Sequence, residues 1–191
     1  MNQGRVVIIG GTPRAGKTTL SVRLAHHGFS MLSFDHISEA LQQGFPEIQV
    51  EDWTDQEVCA KRLYPFFEAM VKYAVGDARL YGVNTVIDMY DYTPEYVSKL
   101  PFQDAIEVYY LAYPDFTVPE IRHNIRFYAA PTDWIAQVDE DYLDVVAKRC
   151  SMVNEKLVRQ CGQYGYRLIN TGACSQRTAI LDDLFHQIIH T

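Results

Sequence analysis

The stretch Gly11-Thr12-Pro13-Arg14-Ala15-Gly16-Lys17-Thr18 constrains this chain more than any other, because it meets the pattern G-x-x-x-x-G-K-[ST] at every fixed position. Its flanks agree with it. Val6-Val7-Ile8-Ile9 is a β-branched run suited to a buried strand, and Thr18 to Ala25 reads as a helix ending near Gly28. Gly10, Gly11 and Gly16 let backbone N–H groups turn inward around an anion, and the start of the following helix adds its partial positive charge. The loop with Thr19 behind it is therefore read as a nucleoside-triphosphate site. Lys17 is expected on the β- and γ-phosphates, and the Thr18 hydroxyl on Mg²⁺.

A chain of 191 residues is a natural length for one domain, so residues 1–191 are taken as a single unit. No apolar run approaches the length that crosses a bilayer, and Met1 to Arg5 leads straight into the first strand. That start carries no signal-peptide pattern, which makes the cytoplasm the expected compartment and removes a membrane from the expected partners. A net charge of −7 argues against a nucleic-acid partner, which needs a basic face. Cys59, Cys150, Cys161 and Cys174 show neither C-x-x-C spacing nor a histidine at metal-ligand spacing, so reduced thiols are expected.

Along the chain, Phe29 to Phe34 reads as a second strand ending at Asp35. Ligands gather at the carboxyl ends of parallel strands, which makes Asp35 a candidate to meet the acceptor of a phosphoryl group. It is equally placed to be the N-cap of a short helix from Ile37 to Gln43. Gly44 to Glu51 is loop-like, and Thr54-Asp55-Gln56-Glu57 is a capping box that starts a helix which Pro65 is expected to kink or split. The segment 37–81 is thus a helical block, where a bare crossover needs only about a dozen residues. Val83 to Asp88 is a third strand ending in an acid, the arrangement that holds Mg²⁺ beside a phosphate loop; Asp88 is the first candidate and Asp91 the reserve.

Ala105 to Ala112 reads as a fourth strand. Thr117-Val118-Pro119-Glu120 then caps a helix that carries Arg122 and Arg126 on one face, until Ala129 to Trp134 breaks it. Paired arginines there suit a lid over about 117–135 that closes on the phosphates, or else a solvated face paired to Glu120 or Asp133. A long amphipathic helix from Tyr142 to Tyr164 stops at Gly165, and Tyr166 to Ile169 is a fifth strand. Thr171 and Gly172 follow as candidates near a nucleotide base, and a helix with Leu181, Leu184, Phe185 and Ile188 on one face ends the chain.

This order of parts resembles the P-loop kinases of the nucleoside monophosphate kinase and shikimate kinase type. The region from Arg122 to Trp134 is also similar to that of bacterial proteins labelled adenylate kinase-like. The resemblance implies an α/β fold with a five-stranded parallel sheet in the order 2-3-1-4-5, a helical acceptor-binding region at 37–81 and a short lid. It implies ATP and Mg²⁺ as cofactors and a small-molecule phosphoryl acceptor as partner. It maps Gly11, Gly16, Lys17 and Thr18 onto the nucleotide loop, Asp35 onto the acceptor-side acid, Asp88 onto the Mg²⁺-associated acid, and Arg122 and Arg126 onto the lid.

Two departures leave neither a monophosphate nor shikimate assigned as the acceptor. Where adenylate kinases carry an Asp-Gly-Phe-Pro-Arg-like segment, this chain has Asp88-Met89-Tyr90-Asp91. Where shikimate kinases carry D-x-D, it has Asp35-His36-Ile37. A GTPase switch needs an Asn-Lys-x-Asp segment and a glycine after the strand-three acid, and neither is present. The sequence thus points to transfer of the γ-phosphoryl group of ATP to a small nucleotide, nucleoside or hydroxyl metabolite. A module that holds or hydrolyses ATP with little transfer is the alternative.

Overall fold

The structure, a computed structural model, describes residues 3–48, 56–131, 134–172 and 175–190. Strand β1 (Val6–Gly11) is buried at all six positions. Only a central strand covered by helices on both faces can be so, and such strands carry continuous apolar runs. β3 (Asn84–Asp88) and β4 (Glu107–Ala112) flank it, with β2 (Phe29–Ser33) and β5 (Arg167–Asn170) at the edges. All four pairings are parallel, in the order β2-β3-β1-β4-β5 that the resemblance implied.

The register sets the site. Ile9 lies opposite Asp88, and Ser33 lies opposite Asp88 from the other side. The ends of β2, β3 and β1 therefore open onto one edge, where the phosphate loop begins.

Side chains alternate along β1, as the period of a strand requires. Val6 and Ile8 join one core with Phe67 and Val71 of α3 (Gln56–Tyr81). Val7 and Ile9 join the other core with Leu20 and Leu24 of α1 (Lys17–His26). That second core also takes Ile121 and Ile125 of α5 (Val118–Phe127), and Leu181 and Leu184 of α7 (Arg177–His190). The long α6 (Glu140–Tyr164) feeds both cores, with Leu143, Val146 and Cys150 in one and Val153, Leu157 and Cys161 in the other.

Several boundaries differ from the sequence reading. β2 stops at Ser33, and α2 (Phe34–Gly44) starts three residues earlier than expected. Ser33 caps it by accepting from the His36 N–H at 3.4 Å, so the cap is Ser33 and not Asp35. The reason is Phe34, whose buried ring meets Phe67 at 5.7 Å and Tyr92 at 5.0 Å. Serine caps as well as aspartate, so capping one residue before Phe34 costs the helix nothing.

Pro65 does not split α3, which runs unbroken past it with Ala60, Leu63, Phe67 and Val71 buried on one side. The capping box expected at Thr54 begins outside the described residues. Pro46–Ile48 forms a single 3₁₀ turn within the segment expected to be loop. Gln103–Ala105 is another such turn, so β4 begins at Glu107 and not at Ala105. A short helix, α4 (Pro94–Val97), follows β3 as the Thr93-Pro94-Glu95 signal required. Cys59, Cys150 and Cys161 are buried and form no disulfide; Cys174 lies outside the described residues. Among the described residues no helix is long and apolar enough to cross a membrane.

Candidate active site

The loop after β1 is shaped by close approach. Gly11 has φ 137°, and a Cβ there would lie 2.0 Å from the Leu111 carbonyl oxygen. No other residue fits. That approach lets the Thr12 N–H donate to the Leu111 carbonyl at 2.9 Å, which ties the loop to the end of β4. Arg14 at the loop apex has φ 63°, a left-handed conformation uncommon for a residue with a side chain. Gly16, φ 99°, caps α1 with no side-chain bond of its own, leaving the helix start open.

A second brace comes from behind. The Thr12 hydroxyl donates to Asn154 Oδ1 at 2.6 Å, and the same oxygen accepts from the Tyr113 N–H at 3.2 Å. Asn154 Nδ2 returns a bond to the Tyr113 carbonyl at 3.1 Å. The Tyr113 hydroxyl donates to the Pro13 carbonyl at 2.6 Å. The sequence reading passed over both residues. A polar residue inside the apolar stripe of Val153 and Leu157 was the available signal.

Lys17 opens α1, and its buried ammonium sits 3.4 Å from the Thr12 carbonyl and 6.0 Å from the centre of the Tyr90 ring. The Thr18 hydroxyl donates to Asp88 Oδ2 at 2.7 Å. Asp88 is buried, and its second oxygen, Oδ1, has no hydrogen-bond partner among the described residues. A buried carboxylate oxygen left open beside a threonine hydroxyl fits a cation at this point. Mg²⁺ suits it well, because that ion takes one or two protein oxygens and completes its shell from phosphate and water. No group of three acidic, histidine or cysteine residues with metal-ligating geometry exists among the described residues.

The loop faces a cavity of about 930 Å³, within the size of small-molecule sites. Its far wall is α2 and the segment after β3, which supply Asp35, Ser38, Glu39, Gln42 and Asp91. Asp35 lies in the first turn of α2 and accepts from the Tyr90 N–H at 3.0 Å, a bond that fixes it across the mouth of β3. Although Asp35 opens to the cavity, the protein around it strips water away and lifts its carboxyl above the ordinary range, with Lys17 opposing. Asp91 is only 8% exposed. Burial first, and then the charge of Asp35, push its pKa up to about 7 against the pull of Lys17.

Arg122 and Arg126 are not in this cavity. Arg122 pairs with Glu140 and, at 3.1 Å, with Asp144. Arg126 donates to the carbonyls of Ile135 at 2.9 Å and Val138 at 2.8 Å, and pairs with Glu140 at 2.9 Å. They line a separate hollow of about 480 Å³ between α5 and α6, with His123 and Lys148. Both guanidinium groups fasten the α5–α6 connection here, and neither faces the phosphate loop. Glu120, expected as a possible partner, instead closes the capping box by accepting from the Thr117 N–H at 2.7 Å. Asp133 lies outside the described residues.

Thr171 is buried, and its N–H and hydroxyl both go to the Ala112 carbonyl, at 2.7 and 3.2 Å, which locks β5 to β4. Gly172 donates to Asn170 Oδ1 at 2.9 Å. Neither lines the cavity described above. The loop side of that cavity is walled by Arg14, Tyr128 and Arg177. Arg177 donates to the carbonyls of Thr171 at 2.9 Å and Arg14 at 3.2 Å, and its guanidinium lies 4.5 Å from the centre of the Tyr128 ring. The sequence held one clue to it: a cation in the first turn of a helix opposes the helix dipole, so it needs another reason to be there.

No family model matches the chain, and no curated protein matches it. Solved structures do. A shikimate kinase from Acinetobacter baumannii, crystallised with shikimate, aligns at TM-score 0.54 and 14% identity over 100% of this chain and 96% of its own. A shikimate kinase from Bacteroides thetaiotaomicron aligns at TM-score 0.57 and 16% identity over 96% of this chain and 98% of its own. A gluconokinase from Sinorhizobium meliloti aligns at TM-score 0.53 and 11% identity, covering 100% and 98%. The chain has the P-loop kinase fold of the shikimate kinase and nucleoside monophosphate kinase type.

Proposed function

We propose that this chain is an ATP-dependent phosphotransferase that moves the γ-phosphoryl group to a hydroxyl of a small molecule. The observation that carries the reading is that the phosphate loop and the Asp35–Asp91 wall face each other across one cavity of about 930 Å³. A donor and an acceptor held there meet at the γ-phosphorus. The fold is shared with shikimate kinases and a gluconokinase, which supports phosphoryl transfer to a small metabolite as the class of reaction.

The loop N–H groups and Lys17 hold the β- and γ-phosphates and oppose the charge that spreads over the γ-oxygens. Thr18 and Asp88 would hold Mg²⁺, which would supply charge neutralisation at the phosphates. Asp35, kept in place by the Tyr90 N–H, orients the acceptor hydroxyl and takes its proton. The acceptor oxygen bonds to the γ-phosphorus as the bond to the β–γ bridging oxygen breaks, and ADP leaves with that electron pair. Arg14, Arg177 and Tyr128 border the nucleotide half.

The test is ADP release from ATP·Mg with a panel of small alcohols, nucleosides and nucleotides, with the phosphorylated product identified by mass. Transfer above the water-only rate, lost in Lys17→Ala while the melting curve is kept, is the expected result. Binding of ATP·Mg with no product from any panel member would overturn it.

A further inference from the structure

The cavity is divided by charge. Lys17, Arg14 and Arg177 stand on the nucleotide side, and Asp35, Glu39 and Asp91 stand on the acceptor side. That side also holds Ser38, Gln42, Cys59 and Tyr90, and no arginine or lysine lines it among the described residues. Lys17 and His36 are the cations acting on Asp35, and Lys17 is the one acting on Asp91. Once ATP is bound, Lys17 faces the phosphates, and the acceptor half is lined by three acidic side chains.

Asp91 adds an independent observation. It is more than nine-tenths buried, borders the cavity, and accepts no hydrogen bond from any described residue. Its carboxyl borders the cavity, so a ligand that brings N–H or O–H groups there is the donor it can meet. Glu39, one turn along α2 from Asp35, has one oxygen engaged by Gln43 at 2.8 Å, which holds it on the same wall. Above about pH 7, where Asp91 is ionised, a carboxylate or phosphate on the acceptor would meet this wall as a like charge, against a field that excludes it.

Resting on the phosphotransfer reading above, we propose that the acceptor is a donor-rich alcohol with no anionic group, a polyol or an amino alcohol that gives its hydroxyl and amine hydrogens to Asp35, Asp91 and Glu39. The acceptor class therefore differs from that of a kinase whose acceptor is recognised through a carboxylate or phosphate. Selectivity in this half comes from repulsion of anions as much as from bonds to the correct ligand.

The experiment uses matched acceptors on one skeleton with ATP·Mg and the intact chain: glucosamine, glucose, gluconate and glucose 6-phosphate, and in parallel nucleosides with their monophosphates. The expected result is kcat/KM for cationic or neutral members at least about tenfold above that for anionic ones. The glucosamine and glucose arms separate an amine from a hydroxyl as the group that is read.

Preference for the anionic members would overturn this inference and leave phosphotransfer standing. No transfer to any member, with ATP·Mg bound, would overturn both. Assayed above about pH 7, where Asp91 is ionised, Asp91→Asn keeps shape and removes that charge, so it should raise KM for the preferred acceptor and shrink the neutral-to-anionic ratio by about tenfold. The Kd for ATP·Mg should stay within about twofold, since Asp91 lies on the other wall. A uniform fall in kcat for every acceptor, with the ratio unchanged, would show Asp91 to be merely structural and sink the proposal.

Discussion

Replacing Asn154 by alanine tests how the phosphate loop is held. The side chain is 2% exposed and makes three bonds, to the Thr12 hydroxyl, the Tyr113 N–H and the Tyr113 carbonyl. The carbonyl keeps another donor, the Phe116 N–H at 3.2 Å, so the truncation orphans two donors rather than three groups. Each orphan costs about 1–3 kcal/mol, which puts the loss near 3 kcal/mol in total. For a chain of this size that corresponds to a fall in Tm of about 6–12 °C. Thr12→Val removes one bond but leaves Asn154 Oδ1 with Tyr113, so its cost should be about 1 kcal/mol. In the Asn154→Ala background the same Thr12→Val change should cost nothing, because the hydroxyl is already orphaned. Urea unfolding of the four proteins measures the cycle, and calorimetric titration with ATP·Mg measures the loop, whose affinity should fall in both single variants. Asn154→Ala unfolding no more easily than Thr12→Val would refute the brace.

Arg126→Ala, which loses bonds to three backbone carbonyls, should lower stability by about 1–2 kcal/mol in denaturant, whereas ATP·Mg turnover should change less than threefold or so; a thousandfold fall would return it to the phosphates. Asp88→Asn should leave the chain folded yet raise the Mg²⁺ concentration for half-maximal turnover by about tenfold or more, and an unchanged Mg²⁺ titration would remove Asp88 from the metal. Because folding raises the Asp91 pKa to about 7, the folded chain binds the extra proton between the ordinary carboxylate range and pH 7. Stability should therefore decline as pH rises through about 4 to 7, and Asp91→Asn should flatten that slope; parallel slopes in the two proteins would contradict the burial argument.

The parts that sequence made legible are those decided by neighbours a few residues away. The loop from Gly11 to Thr18, the acid at the end of β3 and the Thr117–Glu120 box are local statements, and each stands where the spacing put it. The strand order followed from the same parts by resemblance. What a side chain reaches across the fold was not legible. The spacing of four between Arg122 and Arg126 fixes a shared face, but only the packing of α5 on α6 decides that this face meets Glu140 rather than a phosphate. Thr171 reads as a polar residue at a strand end in either case, and its hydroxyl goes to the Ala112 carbonyl because β5 pairs with β4. Asp35 is the subtlest: both readings of it were local, and one buried ring at Phe34 moved the cap to Ser33. That move freed the Asp35 carboxylate to take the Tyr90 N–H.

The two halves of the cavity are built with different rigidity, and this bears on where specificity resides. The phosphate loop is fastened to β4 through the Leu111 carbonyl, to α6 through Asn154, and to α7 through Arg177 and the Arg14 carbonyl. Three elements that meet only in the folded chain thus hold one short loop, so triphosphate binding has little ordering left to do. The acceptor wall rests on α2, in which Phe34 alone is buried. Ser38, Glu39 and Gln42 belong to neither core, so they can be exchanged without disturbing either. Changes on α2 should accordingly alter which alcohol is accepted while the grip on ATP persists. Changes at Thr12, Asn154 or Arg177 should weaken that grip for every acceptor alike, because they act on the one loop that all of them share.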